Sequence, residues 1–126
     1  MLKSLIAWWK RKQQKRHDAV MFERHVVVSF SDEGVTVRYP KGEIQSIDWG
    51  SVLRIVIETN DSGPWGADVW WLLEGQDKRV AYPQGATGDP EMLEQYPVKF
   101  PGFKDEQVIK AMGCTDNARF VCWEHA

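Results

Sequence analysis

Residues 26–39 have the sequence VVVSFSDEGVTVRY, and this stretch decides the fold. Apolar and polar residues alternate on both sides of a central turn-forming segment, 31–34. A period of two is typical of a strand with one buried face, and a short turn between two such strands indicates a hairpin. The alternating positions are Val26, Val28 and Phe30 before the turn, and Val35, Val37 and Tyr39 after it.

The same kind of pattern continues along much of the chain. Turn-forming residues at 40–42 and 75–78 separate further apolar stretches, at 44–49, 53–57, 69–73, 79–82 and 120–123. These stretches predict an antiparallel sheet of about six or seven strands.

A short helix is predicted to begin at Asp89 and Pro90, which suit the N-cap and first helical positions. Pro97 is predicted to end it, because proline removes a backbone donor and clashes with the preceding turn.

A second helix is predicted over residues 105–112. Val108, Ile109 and Met112 lie on one face of it, and Gly113 is placed as a C-terminal stop. Strands first and helices last predict an α+β domain, built as a strongly bent antiparallel sheet or barrel with C-terminal helices.

The N-terminus has a different composition and is predicted to form a basic amphipathic helix, the arm, over residues 1–21. The single domain is expected to span residues 22–126. Apolar residues recur at helical spacing and basic residues follow them. The residues of the arm that carry this prediction are Leu2, Leu5, Ile6 and Trp9, with Lys10, Arg11 and Lys12.

Charge is distributed unevenly along the chain. The first seventeen residues hold six basic residues and no acid, whereas the rest holds ten basic against eighteen acidic residues, a net charge of −8. An acidic body repels phosphates and attracts a basic partner, so nucleic-acid binding is not expected and a basic protein partner is.

The later part of the chain contains five short motifs: TNDSGP at 59–64, DVWWLL at 68–73, PGF at 101–103, AMG at 111–113 and NARFVCW at 117–123. Together they resemble a family of small bacterial proteins of unassigned function. The resemblance covers roughly the last two-thirds of the chain and departs from the pattern at Lys104, where an acidic helix cap is expected. The strand order also resembles a pleckstrin-homology-like barrel. Neither resemblance implies a catalytic residue.

No sequence motif indicates catalysis or a metal. Neither Cys-x-x-Cys nor His-x-x-x-His occurs, and no Gly-x-Ser-x-Gly elbow is present. We therefore predict no enzyme activity, no catalytic residues, no metal and no cofactor. Two cysteines are too few for a secreted disulfide scaffold, and the first residues lack a cleavable signal, so a cytoplasmic protein is expected.

The loop at residues 59–68 is predicted to be the centre of a partner site, because it is longer than a hairpin requires and contains a tryptophan. The predicted partner-binding residues are Glu58, Asp61, Trp65, Asp68 and Trp71. The alternative for Trp65 is that it folds back and closes one end of a barrel.

Together these features favour a non-catalytic protein-binding module, of which a toxin-immunity or escort protein is the most concrete form. The first alternative is a peripheral membrane module anchored by the arm, which could instead dock on its own domain or on a second copy. A small enzyme that uses a carboxylate pair is the third hypothesis.

We expect deletion of residues 1–17 to leave a cooperative thermal transition, because every predicted strand and both later helices follow the arm. Differential scanning calorimetry checks this. A molten or insoluble truncated protein would show that the arm is part of the core.

Overall fold

The computed structural model describes residue 23 and residues 25–60, 68–114 and 116–126, and shows an α+β fold with two antiparallel sheets. The first sheet has the order β1-β2-β3 and the second the order β6-β5-β4-β7. The strands are β1 Val27–Phe30, β2 Gly34–Arg38, β3 Ile44–Asp48, β4 Arg54–Asn60, β5 Asp68–Glu74, β6 Arg79–Pro83 and β7 Ala118–Glu124. The helices are α1 Asp89–Lys99 and α2 Asp105–Met112.

The α+β class and the seven strands confirm the prediction, but the closed barrel is wrong. A 3-10 turn at Trp49–Ser51 separates β3 from β4, and these two strands do not pair. Both helices precede β7, so they are not C-terminal to all the strands. The predicted arm and the boundary at residue 22 lie outside the described residues.

Side chains, not strand pairing, join the two sheets at the edge of β6. The hydroxyl of Tyr39 donates to the carbonyl of Ala81, and the Ala81 N–H donates to Gln45 Oε1 at 2.9 Å. The Tyr39 hydroxyl and the Gln45 side chain thus reach the two backbone groups of Ala81 that β5 leaves unpaired. These two hydrogen bonds satisfy the outward backbone groups of Ala81 and hold the first sheet against the edge of β6.

The main core lies between the inner face of the second sheet, the helices and the first sheet. It contains most of the hairpin residues predicted from period two: Val26, Val28, Val35 and Val37 are buried, whereas Phe30 is exposed. From the second sheet and the helices it includes Ile55, Ile57, Leu73, Val80, Met92, Phe100, Ala111 and Cys122.

An aromatic group at the centre of this core has its polar atoms paired. Tyr96 stacks on Trp71 and Phe103, with ring centroids 5.1 Å and 5.4 Å away. Its hydroxyl is hydrogen-bonded to that of Tyr82, and the Trp71 indole N–H donates to Gln84 Oε1 at 2.9 Å. These hydrogen bonds offset the cost of removing the polar atoms from water, so the large rings are buried without unpaired polar groups.

The helices differ from the prediction in three respects. Gly88, not Asp89, is the N-cap of α1, and Asp89 is its first helical residue. Pro97 lies inside α1 and does not end it, because the helix continues to Lys99 and the Phe100 N–H still donates to Tyr96. In α2, Ala111 is the buried residue, whereas Ile109 and Met112 are exposed. The bounds of α2 are as predicted, and the Lys104 N–H donates to Cys122 of β7 at the start of that helix.

The loop between β6 and α1 is locked to β1. Val28 donates its N–H to Thr87 at 2.8 Å, and Thr87 donates to Val26 at 2.9 Å. Gly88 follows with φ +94°, and a Cβ there would lie 2.0 Å from the Val28 carbonyl oxygen. Only glycine permits both this backbone conformation and this approach.

We therefore expect Gly88→Ala to lower the free energy of unfolding by at least about 3 kcal/mol, since it combines left-handed strain with a backbone clash. Gly42→Ala is the matched control, because Gly42 has φ +98° and nothing within 4 Å of the added Cβ. It should cost roughly 1 to 2 kcal/mol. Urea unfolding measures both, and equal losses would contradict the predicted contact with β1.

Candidate partner-binding face

The second sheet has an outer face that points away from the main core, and the cross-strand register defines it. Glu58 of β4 is opposite Trp70 of β5 and Arg119 of β7. Val56 is opposite Leu72 and Val121, and Arg54 is opposite Glu74 and Glu124. We call these residues, with Ala81 of β6, the outer sheet face.

A separate apolar cluster runs across the middle of the outer sheet face. Val56, Leu72 and Ala81 are buried and form a cluster of their own, distinct from the main core. Trp70 and Val121 pack against it and are themselves only partly buried. A fully solvated face would have polar residues at each outward position, whereas the middle outward residue of β4, Val56, is apolar and buried.

Charged side chains surround this apolar cluster and are linked in one chain of ion pairs. Arg119 bonds Glu58 at 2.8 Å and also pairs with Glu74. Arg54 lies 3.5 Å from Glu74 and 3.1 Å from Glu124. Arg119 belongs to β7 and Glu74 to β5, so the arginine side chain crosses β4 at the level of Val56. Its aliphatic stem covers apolar surface while its guanidinium stays paired.

The predicted partner-site residues do not lie together in the structure. Glu58 lies on the outer sheet face, 46% exposed, and is paired with Arg119. Asp68 is the first residue of β5 and is opposite Asn60 in the register. Asp61 and Trp65 lie outside the described residues, as do the predicted arm residues Leu2, Leu5, Ile6, Trp9, Lys10, Arg11 and Lys12.

Trp71 was predicted to contact a partner, and this is wrong. It is 1% exposed and stacks on Tyr82 and Tyr96 in the main core. Adjacent strand residues point to opposite faces, so its neighbour Trp70 lies on the outer sheet face instead. The sequence signalled that one of the two tryptophans must be outside, but the choice depends on which face of β5 meets the helices.

The far end of β4 is anchored by a side chain that the sequence analysis did not identify. Thr59 is buried, and its hydroxyl donates to the Asp116 carbonyl at 2.7 Å. This bond ties the segment before β7 to the strand that precedes the predicted partner loop.

The cysteines are free thiols, with Cys122 buried and Cys114 partly buried. Burial, together with the nearby acids Asp105 and Glu106, raises the pKa of Cys122 to about 12. Since the thiolate is the reactive form, this thiol is held in its unreactive state. Within the described ranges, no three His, Cys, Asp or Glu side chains are grouped to hold a metal ion.

Comparison with protein-family models, curated proteins and solved structures found no match. In the part of the chain that the structure describes, no helix has the length and hydropathy needed to cross a membrane.

The two neighbouring tryptophans should respond very differently to truncation. Trp71→Ala should lower the free energy of unfolding by about 3 to 5 kcal/mol because it leaves a large core cavity. Trp70→Ala should cost only about 1 to 2 kcal/mol because that ring is already partly in water. Urea unfolding of both variants tests the assignment of the two faces, and a larger loss at Trp70 would reverse it.

Proposed function

We propose that this protein is a non-catalytic binding module for a basic protein partner, and that the partner contacts the outer sheet face. The observation that carries the proposal is the second apolar cluster, which lies outside the main core beside the partly exposed Trp70. A domain that needed only its own core would have no reason to place these apolar residues on that face.

The arrangement of the face supports this proposal. Specific protein interfaces have an apolar, aromatic centre surrounded by a polar rim that keeps water from the centre. Trp70 and Val121 supply the partly exposed centre, and Glu58, Arg119 and Glu124 supply the rim. Tryptophan and arginine are the residue types most enriched among those that dominate binding energy.

The charge argument for a basic partner depends on the net charge of the whole domain more than on Glu58. Glu58 and Glu74 are already bonded to Arg119, so the outer sheet face itself is close to neutral. The net charge of −8 from residue 18 onward remains, and it steers a basic protein toward the domain. Rim pairs then set orientation, because the charges of the partner must complement this chain of ion pairs.

Within this class, we favour a factor that neutralises or escorts one basic protein, such as a toxin-immunity protein. Such factors need a small stable scaffold, charge of the opposite sign and an aromatic anchor, and they need no catalytic groups of their own.

The test is affinity capture from an extract of the cells that produce the protein, followed by titration of the recovered partner. Trp70→Ala should weaken binding by about 2 kcal/mol, roughly thirtyfold, because it removes the aromatic anchor. The Kd should also rise with salt, since oppositely charged proteins are steered together less when screened.

Leu93→Ala is the matched control, because Leu93 is an exposed apolar residue on α1, away from this face. It should leave the Kd within twofold. Equal affinity for the wild type and the Trp70 variant, with both folded by calorimetry, would remove the outer sheet face from the partner site. Recovery of an acidic partner would contradict the charge argument.

A further inference from the structure

The free edge of the first sheet is a second candidate binding surface, and it lies on β3. The Tyr39 N–H donates to Glu43 and the Trp49 N–H donates to Glu33, so every second residue of β3 is bonded to β2. The residues between them, Ile44, Ser46 and Asp48, therefore direct their backbone N–H and C=O groups away from β2. All three residues are exposed.

Each of the other sheet edges has at least one bonded outward backbone group, which sets β3 apart. β1 is bonded to Thr87 through Val26 and Val28, and β6 is capped at Ala81 by side chains of the first sheet. On β7, the Cys122 carbonyl accepts from Lys104. Within the described ranges, no group bonds the outward backbone of β3.

We propose that β3 binds a basic, extended segment of a protein partner by strand addition. An added strand would pair with three N–H and three C=O groups over about 16 Å of edge, the spacing that strand recognition uses. Backbone pairing supplies affinity that does not depend on sequence, so the side chains beside the edge must supply the preference.

Charge beside the edge selects the occupant. Asp48 and Glu33 lie at one end of the edge, where they line a shallow cleft with Ser46 and Thr36. No basic side chain of the described residues forms an ion pair with either acid. A lysine or arginine on the added strand can occupy this cleft, while Ile44, which is 58% exposed, can contact an apolar residue two or more positions away.

A second copy of the chain is a poorer occupant of the same edge. Pairing β3 with itself would bring two acidic bodies together and would place the acids of both copies beside one interface. The proposal therefore commits to a basic strand, and self-association becomes an outcome of the test.

The probe is a short synthetic peptide with blocked ends, in which lysine alternates with valine and threonine. Amide hydrogen exchange followed by NMR should show fast exchange at Ile44, Ser46 and Asp48 in the free protein and slow exchange when the peptide is bound. Gln45 and Ile47 serve as internal controls, because their N–H groups already face β2 and should be protected in both states.

Ser46→Pro tests the backbone directly, because it removes an outward N–H that the fold does not use, and proline is tolerated at such edge positions. It should weaken peptide binding at least about tenfold, whereas Ser46→Thr should stay within twofold. Asp48→Lys provides a second route if the proline variant fails to fold, and it should weaken binding and remove its salt dependence.

Trp70→Ala should leave binding of this peptide unchanged, so failure here and failure of the proposed function are distinguishable. The proposal is overturned if the peptide does not bind at millimolar concentration, or if it binds without protecting the three amides. It is also overturned if Ser46→Pro, shown to be folded, binds as the wild type does. Protection of these amides in the free protein with a dimeric mass would assign the edge to a second copy.

Discussion

Strand β4 is buried on both faces, and the rest of the structure depends on covering it. Ile55, Val56 and Ile57 are consecutive and each has no exposed surface. Alternation therefore requires two covering layers. The helices and the first sheet supply the inner one, whereas on the outer face the guanidinium of Arg119, from β7, pairs with both Glu58 of β4 and Glu74 of β5. The same constraint that makes β4 central thus creates an organised, charged surface with an apolar centre.

The edges of the sheets reveal a second constraint. A buried or crowded edge must have its backbone groups bonded, and β6 achieves this through Tyr39 and Gln45, where a barrel would have used strand pairing. These hydrogen bonds form only if the first sheet lies against the edge of β6. β3 itself supplies Gln45 to this contact. Its residues Ile44, Ser46 and Asp48 direct their backbone groups away from β2, and no described residue bonds them.

Local pattern accounted for much of the fold, because each strand and helix was marked by its own residues. The alternation of Val35 and Val37 fixed their burial, and residues 105–112 had the correct helical bounds. What pattern could not supply was long-range register. Trp70 and Trp71 had to face opposite ways, yet only the packing of Tyr96 against β5 decides which one is inside. Likewise, Glu58 appeared available to a partner until the register placed Arg119 opposite it.

The ion pairs on the outer sheet face affect binding more than stability. Exposed pairs contribute little to folding, on the order of 0 to 1 kcal/mol each, because water screens them. Burial by a partner changes that balance, since the screening water leaves and an unpaired charge then becomes costly. Arg119, joined to both Glu58 and Glu74, presents a charge whose partners remain in place when the face is covered. A partner that covers Trp70 can therefore exclude water without leaving a buried charge unpaired. A partner whose own charges repel those of the ion pairs binds more weakly, which provides specificity.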